Sequence, residues 1–196
     1  LADKYRNPAF ILADGYIGQM MEPVDLEIRE SCLPDKPWAV DGTAKTQGNL
    51  ISSIHLSAEE LEAHVEKLFK KYQEVEANEI RFEEYKTDDA DVLLIGYGIM
   101  SRIILSAVDA AREKGIRAGM IRPITLFPFP SAAIRKHAEH VDEFIVGELS
   151  TGQLIEDVRL AVEGKKPVRL FRRTGGMVPS ADDIVNVLEA REGVAR

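Results

Sequence analysis

The sequence predicts an α/β protein: a small three-layer, mostly parallel sheet, preceded by a long helix and by the tail of a further α/β domain. Three observations carry this reading. Short apolar runs at 92–95, 117–124, 144–146 and 168–171 alternate with segments of helical period, and strands spaced by whole helices join through right-handed crossovers into a parallel sheet. Upstream, residues 57–85 keep an apolar stripe at steps of four and three, the signature of an amphipathic helix. The run Phe10-Ile11-Leu12-Ala13 reads as a strand whose sheet partners either precede Leu1 or come from later in the chain, where the segments have partners of their own, because a lone strand cannot bury both faces.

In chain order, residues 2–6 read as the end of a helix, and Pro8 returns the backbone to an extended form. The strand at 10–13 runs into Asp14-Gly15-Tyr16-Ile17-Gly18-Gln19-Met20-Met21-Glu22-Pro23, with a short helix over 17–21 stopped near the proline. From 30 to 56, Pro34, Pro37, Gly42, Gly48 and Asn49 fall too close together for regular elements. This linker holds Trp38, whose ring needs a surface to cover, so the linker is expected to pack down. Ser57-Ala58-Glu59-Glu60 is a capping box that opens the long helix. Leu61, Val65, Leu68, Tyr72, Val75 and Phe82 form its stripe, with Glu79 out of pattern. Carried to about Tyr85 it would span roughly 40 Å at ~1.5 Å per residue, a rod suited to connecting domains or to an oligomer contact. Helices are expected at 101–114, 131–140, 152–162 and 180–191, the first and third closed by Gly115 and Gly164, the last capped by Ser180. The expected domains are therefore 1–29, the end of the upstream domain; 30–88, the linker and connecting helix; and 89–196, the compact α/β domain.

The 25 basic and 33 acidic residues leave a net charge of −8, and no segment gathers Lys and Arg into a stripe, which argues against nucleic acid as a partner. Cys32 is the single cysteine, so this chain alone builds neither an internal disulfide nor a cysteine-ligated cluster. Beside Glu30 and Ser31 it reads as an inert, reduced thiol. No apolar stretch approaches the ~20 residues of a membrane span, and a cytoplasmic location without a membrane partner is expected.

Several motifs resemble chemistry without completing it. Gly96-Tyr97-Gly98-Ile99-Met100-Ser101 follows a strand and opens a helix, but its third glycine position is serine and no acid ends the next strand. A tight strand-to-helix turn is its plain reading, with an anion on the helix N-terminus as the alternative. Gly147-Glu148-Leu149-Ser150-Thr151-Gly152 misses the spacing of a nucleophile elbow by one residue, and no late histidine can serve Ser150. Gly42-Thr43-Ala44-Lys45-Thr46 lacks the glycine of a phosphate loop. His137 and His140, a turn apart, read as solvated surface residues, and Glu83 and Glu84 as part of a charged helix face. Arg122-Pro123-Ile124-Thr125-Leu126-Phe127-Pro128-Phe129-Pro130 packs three prolines and two aromatics into one segment. It is either a rigid ledge for a ligand or partner, or a stiff loop folded on its own domain. Arg172, Arg173 and Thr174 lead into Gly175-Gly176-Met177-Val178-Pro179, either an anion or acidic-partner contact or a plain turn.

Taken in order, the strings at 12–23, 81–85, 92–97, 122–130 and 174–177 resemble the alpha subunit of the thiamine-diphosphate-dependent 2-oxoacid:ferredoxin oxidoreductases, of the 2-ketoisovalerate and 2-oxoglutarate types. The second half is also similar to the C-terminal domain of transketolase. The resemblance implies that residues 1–29 end a pyrimidine-binding domain. It implies an enzyme that oxidatively decarboxylates a 2-oxoacid to acyl-CoA, with thiamine diphosphate, magnesium and iron-sulfur clusters in the whole complex, beta, gamma and delta subunits as partners, and coenzyme A and ferredoxin as reactants. The family's catalytic motifs lie outside these positions, so no catalytic, cofactor or metal residue is carried over and the segment alone is expected to be inactive. Gly15, Tyr16, Gln19, Arg122, Pro123, Phe127, Phe129, Gly175 and Gly176 are the candidate subunit or domain contacts. Two other classes stay open: a nucleotide-binding domain of an NAD-type oxidoreductase, resting on Gly96 and Gly98, and a non-catalytic interaction module, resting on the long helix.

Overall fold

The structure, a computed structural model, describes residues 1–27 and 35–194, and of 192–194 the backbone alone. The reading of Cys32 and the boundary expected at 29/30 fall on residues outside that set. The chain divides into two compact units, Leu1–Leu12 with Met20–Asn78, and Ala13–Gln19 with Glu79–Arg196.

The second unit is built on a five-stranded sheet of order β1-β3-β2-β4-β5, where β1 is Phe82–Tyr85, β2 Val92–Ile95, β3 Ala118–Pro123, β4 Glu143–Glu148 and β5 Val168–Arg172. All pairings are parallel except that of β1 with β3. The helices are α3 (Gly98–Glu113), α4 (Ser131–His137), α5 (Leu154–Val162) and α6 (Ala181–Val194). Successive strand side chains point to opposite faces, so Val92 and Leu94 meet Ile104 and Val108 of α3 and Leu188 of α6, while Leu93 and Ile95 meet Ile134 of α4 and Val158 of α5. The expected three-layer, mostly parallel architecture is present, with β2 and β4 buried along their whole length, as central strands covered on both faces must be. The last helix begins as its sequence indicates: the Ser180 hydroxyl accepts the Asp183 amide at 3.2 Å and the Asp183 carboxylate accepts the Ser180 amide at 2.9 Å.

Two expectations for this unit are corrected. The long helix ends at Asn78, not near Tyr85, and residues 82–85 form the antiparallel edge strand β1, Phe82 opposite Pro123 and Tyr85 opposite Met120. As a strand the segment buries the Phe82 ring against the core and gives its backbone groups partners on β3; a helical continuation would forgo both. Glu79, the position that breaks the apolar stripe, marks the change. Nor is His137 solvated, although its neighbour His140 is exposed as expected. His137 is 4 % exposed, its Nε2 lies 2.7 Å from Glu84 Oε1 and its Nδ1 3.5 Å from His140 Nε2. The edge strand brings Glu84 to them, a placement that a helical reading of residues 83–84 conceals. The 17–21 helix is a single 3-10 turn, Ile17–Gln19.

In the first unit, α1 (Ala2–Tyr5) closes on Arg6 at a left-handed φ of 47°. No strand forms over 10–13: Phe10 and Ile11 are 84 % and 98 % exposed, and an extended segment with no strand beside it has no ladder to join. Of the described part of the linker the stretch around Trp38 is covered, with the Arg6 guanidinium 5.1 Å from the Trp38 ring, while Val40, Leu50, Ile54 and Leu56 stay exposed. The Asn49 amide donates to the carbonyls of Pro37 at 2.7 Å and Ala39 at 2.8 Å. The threonines after Gly42 turn toward Asp41. The Thr46 hydroxyl first, then the Thr43 amide and hydroxyl, hold the Asp41 carboxyl down to about 2. Helix α2 (Ala58–Asn78) starts where the Ser57 hydroxyl accepts the Glu60 amide at 3.1 Å. Its least exposed positions are His64, Leu68, Lys71 and Val75, so the covered face is rotated from the apolar stripe. Leu61, Val65 and Phe69 are left 47 %, 52 % and 57 % exposed.

Candidate functional site

In the second unit the chain crosses from β2 to β3 on one side and from β4 to β5 on the other, so the sheet reverses direction between β2 and β4. The carboxyl ends of strands at such a reversal are where open α/β sheets form crevices. Gly96 and Gly147 sit at those ends. A Cβ on Gly96 would stand 2.7 Å from Ile104 Cδ1, and one on Gly147 2.9 Å from Met100 Cγ. The bare backbones thus let α3 settle into the reversal.

Asp14 caps α3. Its Oδ2 accepts the Ile99 amide at 2.8 Å and its Oδ1 accepts the Ile17 amide, also at 2.8 Å. Gly98 has φ +60°, and a Cβ there would lie 2.6 Å from Asp14 Oδ2, so both the backbone and the cap require glycine. The alternative of an anion at this helix N-terminus is met by the chain's own carboxylate, and the first amide that a pyrophosphate would use is taken. Sequence reasoning missed this role of Asp14, because its partner stands 85 residues away.

A second carboxylate caps α5. Glu148, 4 % exposed, accepts the Ser150 hydroxyl at 2.7 Å and the Gln153 and Ile155 amides at 2.9 Å each. Ser150 thus donates to a carboxylate that caps a helix. Burial first, and the Glu148 charge second, push the Tyr97 phenol up.

Between these caps lies a cavity of about 330 Å³ lined by Asp14, Gly15, Tyr16, Gln19, Leu149, Gly176, Met177 and Val178. Of the candidate contact residues it brings together Gly15, Tyr16, Gln19 and Gly176. Gly175 adjoins it in the same turn at φ +65°. Of the nearby cations, Arg173 pairs with Asp183 at 3.3 Å and Arg172 donates to the Thr151 carbonyl at 3.4 Å. The other candidates are not part of the cavity. Arg122 pairs with Glu83 across the sheet edge at 2.9 Å, and Pro123 ends β3, buried. The proline-rich loop divides: Phe129 packs on the core with Leu126, whereas Phe127 is 62 % exposed.

Among the described residues no three His, Cys, Asp or Glu side chains converge, and the two helix N-termini at the reversal carry protein carboxylates. No helix among the described residues is long and apolar enough to cross a membrane.

Comparison with known proteins follows the same lines. Residues 90–184 match the model of the pyruvate:ferredoxin oxidoreductase core domain II. The ketoisovalerate oxidoreductase subunit VorB of Methanothermobacter marburgensis is 48 % identical over 194 residues, 98 % of this chain and 55 % of that protein. The 2-oxoglutarate synthase subunit KorA of the same organism is 31 % identical over 214 residues, 95 % of this chain and 57 % of that protein. The chain thus spans about half the length of the curated relatives it matches. Its fold recurs in the 2-oxoglutarate:ferredoxin oxidoreductase from Magnetococcus marinus, solved with 2-oxoglutarate, coenzyme A and succinyl-CoA bound. That match has a TM-score of 0.62 and 23 % identity, over 69 % of this chain and 24 % of that one. Through sequence shared almost end to end with subunits of these enzymes, the chain belongs to the 2-oxoacid:ferredoxin oxidoreductase family.

Proposed function

We propose that this chain is part of the alpha subunit of a cytoplasmic 2-oxoacid:ferredoxin oxidoreductase, and that it supplies domain and subunit contacts while the reacting groups come from elsewhere in the enzyme. In the reaction a 2-oxoacid loses its carboxyl group as carbon dioxide, the acyl group joins the thiol of coenzyme A, and two electrons pass to ferredoxin. Thiamine diphosphate, magnesium and iron-sulfur clusters are held by other parts of the complex and by beta, gamma and delta subunits. The observation that carries this reading is the 48 % identity to a ketoisovalerate oxidoreductase subunit along 98 % of the chain. The same comparison favours a branched, apolar 2-oxoacid over 2-oxoglutarate, because the 2-oxoglutarate synthase subunit shares only 31 %.

In the full-length enzyme assembled with its partner subunits, kcat/KM for 2-ketoisovalerate is expected to exceed that for 2-oxoglutarate by about tenfold or more, since an apolar pocket rejects a second carboxylate. The assay is coenzyme A-dependent reduction of ferredoxin or methyl viologen. Reduction with neither acid would overturn the reading.

The contact role rests on the exposed apolar side chains, among them Phe127, Leu160 and Met177 in the second unit. Phe127→Ala is expected to weaken association with the other subunits by about 1 to 3 kcal/mol, measured by sedimentation of the reconstituted complex. Phe129→Ala, by contrast, removes a ring packed on the core and should act on melting temperature. Sedimentation unchanged by Phe127→Ala would assign that loop to its own domain.

A further inference from the structure

The first unit holds a pair of histidines that the contact reading leaves unexplained. His55 lies in the segment 49–56, which leads from the Asn49 anchor to the start of α2, and His64 lies two turns into that helix. Their rings stack at 4.3 Å between centroids and 26° between planes. This stack stands where an apolar staple would ordinarily fix the entry to a helix, between the residue before the cap and one a turn inside. Here the residue before the cap is Leu56, which is 92 % exposed, so no such staple forms. Ring planes this close to parallel aim their in-plane lone pairs side by side, so they cannot grip one cation together.

The surroundings oppose a charge on the His64 ring. His55 Nε2 is buried with no hydrogen-bond partner among the described residues. Around His64, burial first, then His55, Lys67 and Lys71, hold the imidazole below its ordinary pKa. Lys71 is fixed close by, its ammonium donating to Asn7 Oδ1 at 3.1 Å and to the Arg6 carbonyl at 3.3 Å. The segment 49–56 contributes no charged group besides His55. Glu60 stands a turn before His64 on α2, yet the groups that act on the His64 charge are the histidine and the two lysines.

We propose that the His55–His64 stack is a proton-operated clasp, which holds the segment 49–56 along α2 while both rings are neutral and releases it when they are protonated. The sign follows from the favoured form. A folded state that prefers the neutral imidazole keeps the contribution of the stack above the ordinary histidine pKa of about 6.5 and loses it as pH falls through the lower folded value. What is freed is an apolar strap: Leu50 and Ile54 are 83 % and 71 % exposed already, and opening adds mobility at the mouth of α2. In the assembled enzyme an acid shift would then loosen this segment without touching the α/β unit.

The test is an NMR titration of the protein, following ring-proton contacts between His55 and His64 and their ring-current shifts from pH 7.5 to 5.5. The closed-to-open ratio is expected to fall about fivefold over that range, the scale of repulsion between two cations at this spacing in a largely aqueous setting. The double variant His55→Phe/His64→Phe keeps an aromatic stack that cannot take a proton, and should hold the segment closed at both pH values. A wild-type stack unchanged at pH 5.5, or a double variant that opens over the same range, would overturn the proposal.

Discussion

Replacing Glu148 by alanine is expected to destabilise the α/β unit by about 3 kcal/mol. The carboxylate is 4 % exposed and accepts three hydrogen bonds, two of them from the Gln153 and Ile155 amides at the start of α5. Removing it leaves those amides without acceptors, at about 1 to 3 kcal/mol for each buried unsatisfied donor, and removes a negative charge from a helix N-terminus. The Ser150 hydroxyl, half-buried, can turn to water and adds little. Glu148→Gln should recover less than half of the loss. An amide presents one acceptor atom where two are needed, and its NH₂ would face an N–H. Urea unfolding followed by far-UV circular dichroism measures both variants. A loss below about 1 kcal/mol for alanine, or full rescue by glutamine, would show that the cap matters little.

Gly98→Ala is expected to cost about 3 kcal/mol by two separable routes. A left-handed φ of +60° is unfavourable for alanine by roughly 1 to 2 kcal/mol. The added methyl would also stand 2.6 Å from Asp14 Oδ2, displacing a cap worth about 1 kcal/mol or more. A double-mutant cycle separates the two. Once Asp14→Ala has removed the carboxylate, Gly98→Ala should cost only its backbone strain, so the two changes should couple by about 1 kcal/mol or more. Additive effects would mean that the cap and the glycine act independently. The cycle bears on the cavity as well, because Gly15, Tyr16 and Gln19 line its wall and follow directly from the Asp14 anchor. Freed of Asp14, that wall should exchange its amide hydrogens faster while the central strands do not.

Much of this architecture was legible in the residues. The four parallel strands and the helices between them follow from apolar runs of strand length separated by helical period, a signal written within each segment. The caps were legible for the same reason: Ser57 with Glu60 and Ser180 with Asp183 are three residues apart, and their hydrogen bonds do not wait on the rest of the fold. The family resemblance rested on strings of this kind in register along the chain. Of the candidate contacts, the sequence could name the glycines and aromatics as unusual, but not sort Phe129, which the core takes, from Phe127, which it leaves exposed.

Other features were settled by pairings across distance. The strand β1 hid inside a helical stripe because helix and strand preferences over four residues differ by less than the burial of Phe82 and the open edge of β3 supply. His137 and Glu84 meet across 53 residues, and Asp14 meets α3 across 85, so neither contact leaves a local trace. Residues 10–13 carry the composition of a strand and form none, since a ladder needs a second chain segment beside it. The sequence by itself determined which segments of the α/β unit prefer helix or extended backbone and where α2, α4 and α6 start, because those free energies lie within a few residues of one another. Only the tertiary structure decided which carboxylate fills each helix N-terminus, which glycines admit a neighbouring helix, and which apolar side chains remain in water. Those outcomes depend on surfaces that exist only once distant segments have packed.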